Sequence, residues 1–270
     1  MQPRLGVVGD PVAHSLSPTL HRAGFAAIGL AASYDAVRVP AGQLARFVAG
    51  LEPAWRGLSV TAPLKREALA LADEVSATAR LAGGANTLVR TAGGWAADNT
   101  DVPGAVAAIR ERHPAALAAA TILGGGATAA SMGLALAELG VGRITLAARN
   151  PAKAGEALAA VRRHPRGPEA VVVPLDEAIA TGGVVVSTVP AAAQVPGLVT
   201  RMRSAEVVFE VTYSEWPTPL VEAAVSDGVV VVSGLDLLVH QAVGQLELMT
   251  GRTVPAAVLL DAGRAALAAR

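Results

Sequence analysis

The sequence predicts an α/β chain in two parts, a doubly wound parallel sheet in its second half and a smaller α/β region before it. Three observations carry this. The run A-T-I-L-G-G-G-A-T-A-A-S-M at 120–132 passes from a β-prone apolar stretch through three glycines into a helical composition. Five further β-branched runs follow, at 143–147, 170–174, 183–189, 206–211 and 228–234. They show little polar alternation, as parallel strands buried on both faces require. Helix-like segments separate most of them, so six strands alternate with helices, the count of a full dinucleotide-binding sheet.

Taken in order, residues 5–9 read as a strand that enters a loop of turn formers at 10–18. Ser15 and Ser17 stand two apart, so in an extended segment their hydroxyls point the same way and can hold a carboxylate. Ser17 can instead cap a helix that starts at Pro18. Residues 33–39 alternate like a strand, 42–51 read as a helix, and 57–61 as another strand. Pro63 marks the turn into a helix reaching about Leu71. Lys65 then falls in that helix's first turn, where a cation opposes the macrodipole; it is either functional there or solvated. Residues 85–90 and 94–98 form a hairpin closed near Gly93 and Gly94. Asp101 either caps the helix over 105–112 or belongs to a site.

In the glycine turn, Gly124, Gly126 and Ala129 fit G-x-G-x-x-A, with Gly125, Ala127 and Thr128 between them. The first glycine permits the sharp turn and the second a close approach of backbone to a pyrophosphate. The third small residue lets the helix pack on the strand. The helix N-terminus offers N–H groups and partial positive charge to phosphates. The uncharged stretch 115–137 is not read as a membrane span, because it holds consecutive glycines and the hydroxyls of Thr121, Thr128 and Ser131. An NAD site places an acid near the end of the second strand, about 20 residues past the glycines. That strand ends A-A-R-N at 147–150, and no Asp or Glu follows until Glu156. Arg149 and Lys153 stand there instead; they are either solvated surface groups or ligands of a 2′-phosphate, and the missing acid favours the second and hence NADP.

Composition narrows the function classes. The chain of 270 residues is 52% hydrophobic and 16% charged with zero net charge, so it fills a large core and shows no nucleic-acid footprint. The absence of cysteine excludes disulfides and thiolate metal sites, and the five histidines have no ligand spacing, so no metal is expected. No apolar segment resembling an export signal opens the sequence, and a cytoplasmic location is expected, with no membrane partner.

Seven motifs, in order along nearly the whole chain, resemble those of the shikimate dehydrogenase family. They are G-D-P-V-A-H-S-L-S-P at 9–18, S-V-T-A-P-L-K at 59–65, G-A-N-T-L at 84–88, and D-N-T-D-V-P-G at 98–104. The glycine turn at 124–129, Tyr213 with T-P-L at 218–220, and G-L-D-L-L-V-H-Q at 234–241 complete the set. The resemblance implies a Rossmann-type doubly wound sheet plus an N-terminal α/β substrate domain, with the site in a cleft between them. The substrate domain would span 1–100, completed by C-terminal helices at 236–270, and the NADP-binding domain 101–235. It implies reduction of 3-dehydroshikimate to shikimate with NADPH, on the route to aromatic amino acids. Ser15 and Ser17 would bind the substrate carboxylate with Tyr213 nearby, and Thr61, Asn86 and Gln241 the ring hydroxyls. Lys65 and Asp101 would be the catalytic pair. Gly124, Gly125, Gly126, Ala127, Thr128, Arg149, Asn150 and Lys153 would hold the nucleotide, and Gly234 and the backbone near Val211 would face the nicotinamide.

Some positions depart from the family's commonest pattern. Ser59 stands where asparagine is frequent, Ala148 replaces an asparagine, Asp236 replaces a glycine, and S-T-V-P at 187–190 replaces Asn-Ala-Thr-Ser. No catalytic group is lost. The expected partner is a small-molecule acid, shikimate or 3-dehydroshikimate, and the chain is expected to be a monomer or homodimer. Two other readings compete: an NAD-preferring quinate/shikimate dehydrogenase, and a non-catalytic ligand sensor on the same fold.

Overall fold

A computed structural model describes residues 2–269. The chain runs β1 (Arg4–Gly9), α1 (Ser17–Ala27), β2 (Ser33–Arg38), α2 (Leu44–Ala49), β3 (Trp55–Val60), α3 (Lys65–Leu71), β4 (Glu74–Val75), α4 (Ala77–Ala82), β5 (Thr87–Arg90) and β6 (Trp95–Asp98). Next come α5 (Asp101–Arg112), β7 (Ala119–Leu123), α6 (Ala127–Glu138), β8 (Arg143–Ala148), α7 (Gly155–Arg162), β9 (Glu169–Pro174), β10 (Val184–Ser187), α8 (Pro196–Met202), β11 (Val207–Glu210), α9 (Pro219–Ser226) and β12 (Val230–Val232). Two helices, α10 (Gly234–Thr250) and α11 (Ala256–Ala268), end it. The chain divides into two compact units, Met1–Thr100 with Leu238–Arg270, and Asp101–Leu237.

The first unit holds a six-stranded sheet ordered β2-β1-β3-β5-β6-β4. Strands β1, β2 and β3 are parallel and β5 joins them antiparallel. One face is filled by Val8, Leu58, Val60, Leu64, Leu88 and Trp95. Helices α10 and α11 pack on α1 where Gly24 allows it, since a Cβ there would lie 2.6 Å from Leu246 of α10 and 3.4 Å from Leu259 of α11. Burial of such methyls at roughly 25 cal/mol per Å² fastens the C-terminal helices to this unit.

The second unit holds a six-stranded sheet ordered β12-β11-β10-β7-β8-β9, parallel throughout. Its central strands β7, β10 and β11 are buried along their whole length, which is why they lack polar alternation. The strand order reverses between β7 and β10, and ligands of such sheets bind beyond the carboxyl ends at that point. The α/β class and the doubly wound sheet are as expected.

Local expectations differ in places. The 10–18 loop is not extended at Ser17: Leu16 already has helical angles (φ −82°, ψ −9°) and makes no side-chain cap. Ser17 is therefore the first helical residue, neither a cap nor half of an extended pair. Asp101 opens α5 itself rather than preceding it. Strand β4 and helix α4 were not expected. Ser76 starts that helix by accepting from Ala79 N–H at 3.1 Å, and Gly83 (φ 67°) stops it. The 228–234 run shortens to three strand residues because Gly234 already begins α10. Among the described residues no helix is long and apolar enough to cross a membrane, and no cluster of three or more His, Cys, Asp or Glu is placed to hold a metal.

Candidate active site

In the first unit the expected site residues lie on connections leaving the strands. Thr61 follows β3, its N–H donating to Val8 O at 2.9 Å and its carbonyl accepting from Leu64 N–H at 3.0 Å. Lys65 opens α3, and its carbonyl accepts from Ala85 N–H at 2.8 Å. A Cβ on Gly84 would touch Lys65 Cβ at 3.4 Å, so the 84–86 segment lies against the Lys65 backbone. This brings Asn86 to the same place from a distant part of the chain.

Asn86 is buried and richly bonded. Its Nδ2 donates to Thr100 Oγ1 (2.9 Å) and Gln241 Oε1 (3.1 Å). Its Oδ1 accepts from Thr100 N–H (2.8 Å) and Thr87 Oγ1 (2.9 Å). One helical turn beyond Gln241, Gln245 donates from Nε2 to Asn86 O (2.9 Å) and accepts from Ser59 Oγ at 2.8 Å. Ser59 accepts from the Tyr34 hydroxyl, which also contacts the Ser17 side chain. Ser17, Tyr34, Ser59, Gln245, Asn86 and Gln241 thus form one buried chain of neutral polar groups. Burial raises the Tyr34 hydroxyl's pKa against the bonds from Ser59 and Ser17. His21 stacks on Tyr34 (4.1 Å, 20°), and its Nδ1 lies 2.9 Å from Ser17 O. Its pKa falls to about 4, because burial outweighs that bond. Ser15 accepts from Ser17 N–H at 3.2 Å, so the two serines are locally coupled although Ser17 is helical.

The second unit builds its site mostly from backbone. Gly124 has φ +124°, and a Cβ there would meet Thr188 Oγ1 at 2.1 Å, so only glycine fits. At Gly125 a Cβ would meet Ala154 Cβ at 2.5 Å. At Gly126 it would meet nothing within 4 Å, leaving open space before the N-terminus of α6. Ala127 and Thr128 form the first turn of α6, which no side chain caps, and Ala129 is fully buried. Arg149 and Asn150 follow β8 directly and are exposed, as is Lys153 in the short 3₁₀ turn Pro151–Ala154. Asp101, buried, sits at the N-terminus of α5, where an anion is favoured.

Beyond β11, Val211 and Gly234 touch closely, for a Cβ on Gly234 would stand 2.3 Å from Val211 O. Gly234 is held by its neighbours. Ser233 N–H and Oγ–H donate to Asp236 Oδ2 at 2.9 and 2.8 Å, and Asp236 N–H donates back to Ser233 Oγ at 3.1 Å, a reciprocal helix cap. Arg112 donates to Asp236 Oδ1 at 2.7 Å. Burial works to raise the Asp236 pKa, but Arg112 and Ser233 outweigh it and hold the carboxyl below the usual range. Tyr213 is half-buried in the turn after β11.

Family models match at both ends of the chain: the shikimate dehydrogenase substrate binding domain at residues 7–88, and the shikimate 5′-dehydrogenase C-terminal domain at 234–262. A relative from Symbiobacterium thermophilum named shikimate dehydrogenase (NADP(+)) is 35% identical, over 97% of this chain and 94% of its own. The chain belongs to the shikimate dehydrogenase family. The crystal structure of Mycobacterium tuberculosis shikimate dehydrogenase is 42% identical with a TM-score of 0.89, covering 98% of this chain and 99% of that one. A quinate dehydrogenase from Corynebacterium glutamicum, solved in complex with NAD, is 27% identical with a TM-score of 0.88, covering 98% and 99%.

Within this family member, Thr61, Lys65, Asn86 and Gln241 all fall in the first unit, Asn86 and Gln241 in direct contact, and Ser17 joins them through the buried chain. The nucleotide candidates fall in the second unit. Sequence reading did not single out Tyr34, Gln245, Thr100, Glu210 or Gln194 as site supports. One signal was available: Gln245 lies four residues after Gln241, hence on the same helical face.

Proposed function

We propose that this chain is an NADP-dependent shikimate dehydrogenase, reversibly reducing 3-dehydroshikimate to shikimate with NADPH in aromatic amino acid biosynthesis. The observation that carries the reading is the buried hydroxyl–amide chain from Ser17 to Gln241, flanked by Ser15, Thr61 and Lys65. A small ring with one carboxylate and several hydroxyls needs neutral donors and acceptors at fixed places, one anion anchor and one cation. The unit Met1–Thr100 with Leu238–Arg270 is read as the substrate domain and Asp101–Leu237 as the cofactor domain.

The residues present fit NADP. Open space at Gly126, where any side chain would stand in the way, suits a pyrophosphate, and the N–H groups of Ala127 and Thr128 face it. Arg149, Asn150 and Lys153 suit a 2′-phosphate, with no carboxylate in the turn. Val211 and Gly234 form a backbone surface for the nicotinamide. The cofactor, when bound, supplies the hydride that reaches the carbonyl carbon.

The chain's own groups do the rest. Ser15 and Ser17 bind the carboxylate, and Tyr213 is a further substrate-binding group. Thr61, Asn86 and Gln241 read the ring hydroxyls. Asn86 already spends both Nδ2 hydrogens on Thr100 and Gln241, so a substrate hydroxyl joins by taking the place of the Asn86–Gln241 bond. Lys65 donates to the ketone oxygen and gives it a proton as the alkoxide develops; Asp101, the other member of the catalytic pair, bonds a substrate hydroxyl. In the reverse direction Lys65 receives the proton.

An absorbance assay at the reduced nicotinamide band tests this, with shikimate or quinate against NADP⁺ or NAD⁺. The expected result is a higher kcat/KM for shikimate with NADP⁺. Arg149→Ala should weaken NADP⁺ by roughly tenfold or more, leave NAD⁺ nearly unchanged, and lose part of that difference at high salt. The likeness to an NAD-bound quinate dehydrogenase favours a second reading, and equal or better kcat/KM with NAD⁺ would establish it. Tight shikimate binding without turnover would make the chain a ligand sensor.

A further inference from the structure

Glu210 ends β11 and is fully buried, yet the chemistry above does not use it. Among the described residues no cation pairs with it. Its carboxylate accepts from Gln194 Nε2 (2.7 Å) and Thr218 Oγ1 (3.0 Å) on one oxygen, and from Thr212 N–H (3.0 Å) on the other. The Ser187 hydroxyl is a further donor. Burial pushes its pKa up, against these four donors.

The donors come from four places in the second unit: the end of β10, the turn before α8, the turn after β11, and the N-cap of α9. Gln194 works at both ends, since its Oε1 accepts from Leu220 N–H at 3.0 Å and its Nε2 also reaches Ser187 Oγ at 3.0 Å. Thr218 in turn accepts from Val221 N–H at 3.4 Å, so the first turn of α9 hangs on the same carboxylate. An ion buried among neutral donors is costly. A carboxamide in its place would turn one acceptor into a donor and set it against donors. Only a carboxylate accepts from all of these groups at once, helped by the positive end of α9.

The result is a clasp immediately behind Val211, on whose carbonyl Gly234 closes. We propose that Glu210 is a positioning residue for hydride transfer, tying the turns after β10 and β11 together so that the Val211 backbone is fixed where the nicotinamide lies. This rests on the dehydrogenase reading of Val211 and Gly234 given above.

Glu210→Gln, with Gln194→Met as a second variant that keeps the carboxylate, tests it by three measurements. In the cofactor-free protein, amide hydrogen exchange of the 211–218 and 188–195 segments should speed up roughly tenfold while 127–138 is unchanged. With NADPH, kcat for 3-dehydroshikimate should fall roughly 10- to 100-fold, as a displaced reacting geometry costs. The primary deuterium isotope effect on kcat should rise as hydride transfer becomes limiting, and the preference for NADP over NAD should hold. Unchanged exchange in 211–218, or a wild-type isotope effect in a folded variant, overturns the proposal. If only one variant folds, its exchange and isotope effect decide. A wild-type chain inactive on 3-dehydroshikimate would instead remove the dehydrogenase reading, while the exchange data would still report whether the clasp exists.

Discussion

The two units present their candidate site residues by opposite means. The first does so with side chains: a buried chain of hydroxyls and amides, from Ser17 through Tyr34, Ser59 and Gln245 to Asn86 and Gln241, carries no charge. The second does so with backbone, at Gly124–Gly126, the first turn of α6, and the Val211–Gly234 contact. Its buried charges, Glu210 and Asp236, stand behind that backbone and hold it. The difference follows from the ligands proposed. A polyhydroxylated acid is told from its relatives by individual hydroxyls, which only shaped side chains can read. A dinucleotide presents phosphates and a flat ring to any backbone that comes near enough. Function is therefore lost in the first unit by removing side-chain atoms and, at the second unit's glycines, by adding them, with Arg149 and Lys153 as the second unit's side-chain exceptions.

The largest effect is expected from removing one side chain in the first unit. Lys65→Ala should lower kcat by roughly 10²–10⁴-fold, the range for a positioned acid–base group. KM for shikimate should move far less, because the serine anchors and Asn86 remain. Steady-state kinetics decide: a surviving kcat with a raised KM would make Lys65 a binding residue only.

A second effect follows from the neutrality of the first unit's interior. His21 is buried with its pKa lowered to about 4, against 6.5 unfolded. Between those values the unfolded chain binds a proton that the folded chain refuses. Stability is thus full above pH 6.5 and falls as pH drops toward 4, by about 3 kcal/mol at pH 4 from this group. Denaturation midpoints across that range should fall for the wild type and flatten in His21→Leu. Equal slopes in both would mean that the unfolded-state value persists in the fold.

The legibility of the sequence divides along the same line. The backbone-built unit was readable because its constraints are local: three adjacent glycines, a missing acid after β8, and valine runs without alternation. The side-chain-built unit was readable only where motifs named its residues. Tyr34 and Ser59 meet because β2 and β3 both flank β1, and their link to Gln245 closes across 186 residues. No periodicity in either strand signals that contact. The extended pairing expected of Ser15 and Ser17 failed because α1 already starts at Ser17, with Leu16 at helical angles and its carbonyl accepting from Leu20 N–H at 3.1 Å. Glu210 left one trace, a carboxylate inside the apolar run 207–211, and its burial depends on donors from turns that have no pattern of their own.

The smallest change sharpens the contrast most. Gly126 has φ −90°, allowed to any residue, and a Cβ there would meet nothing within 4 Å. Gly126→Ala should therefore leave the fold nearly intact, losing only the roughly 0.5 kcal/mol by which glycine surpasses alanine at an N-cap. The added methyl would stand where the pyrophosphate is expected to approach, so the Kd for NADPH should rise roughly tenfold with shikimate affinity preserved. Gly124→Ala is the counterpart. At φ +124°, with Thr188 Oγ1 only 2.1 Å from the added carbon, it should lower the melting temperature even without ligand. Fluorescence titration of NADPH and thermal melts of both variants separate a glycine needed by the ligand from one needed by the turn. An unchanged Kd in Gly126→Ala would move the phosphates away from this loop, and with them the account of the second unit as a backbone-built site.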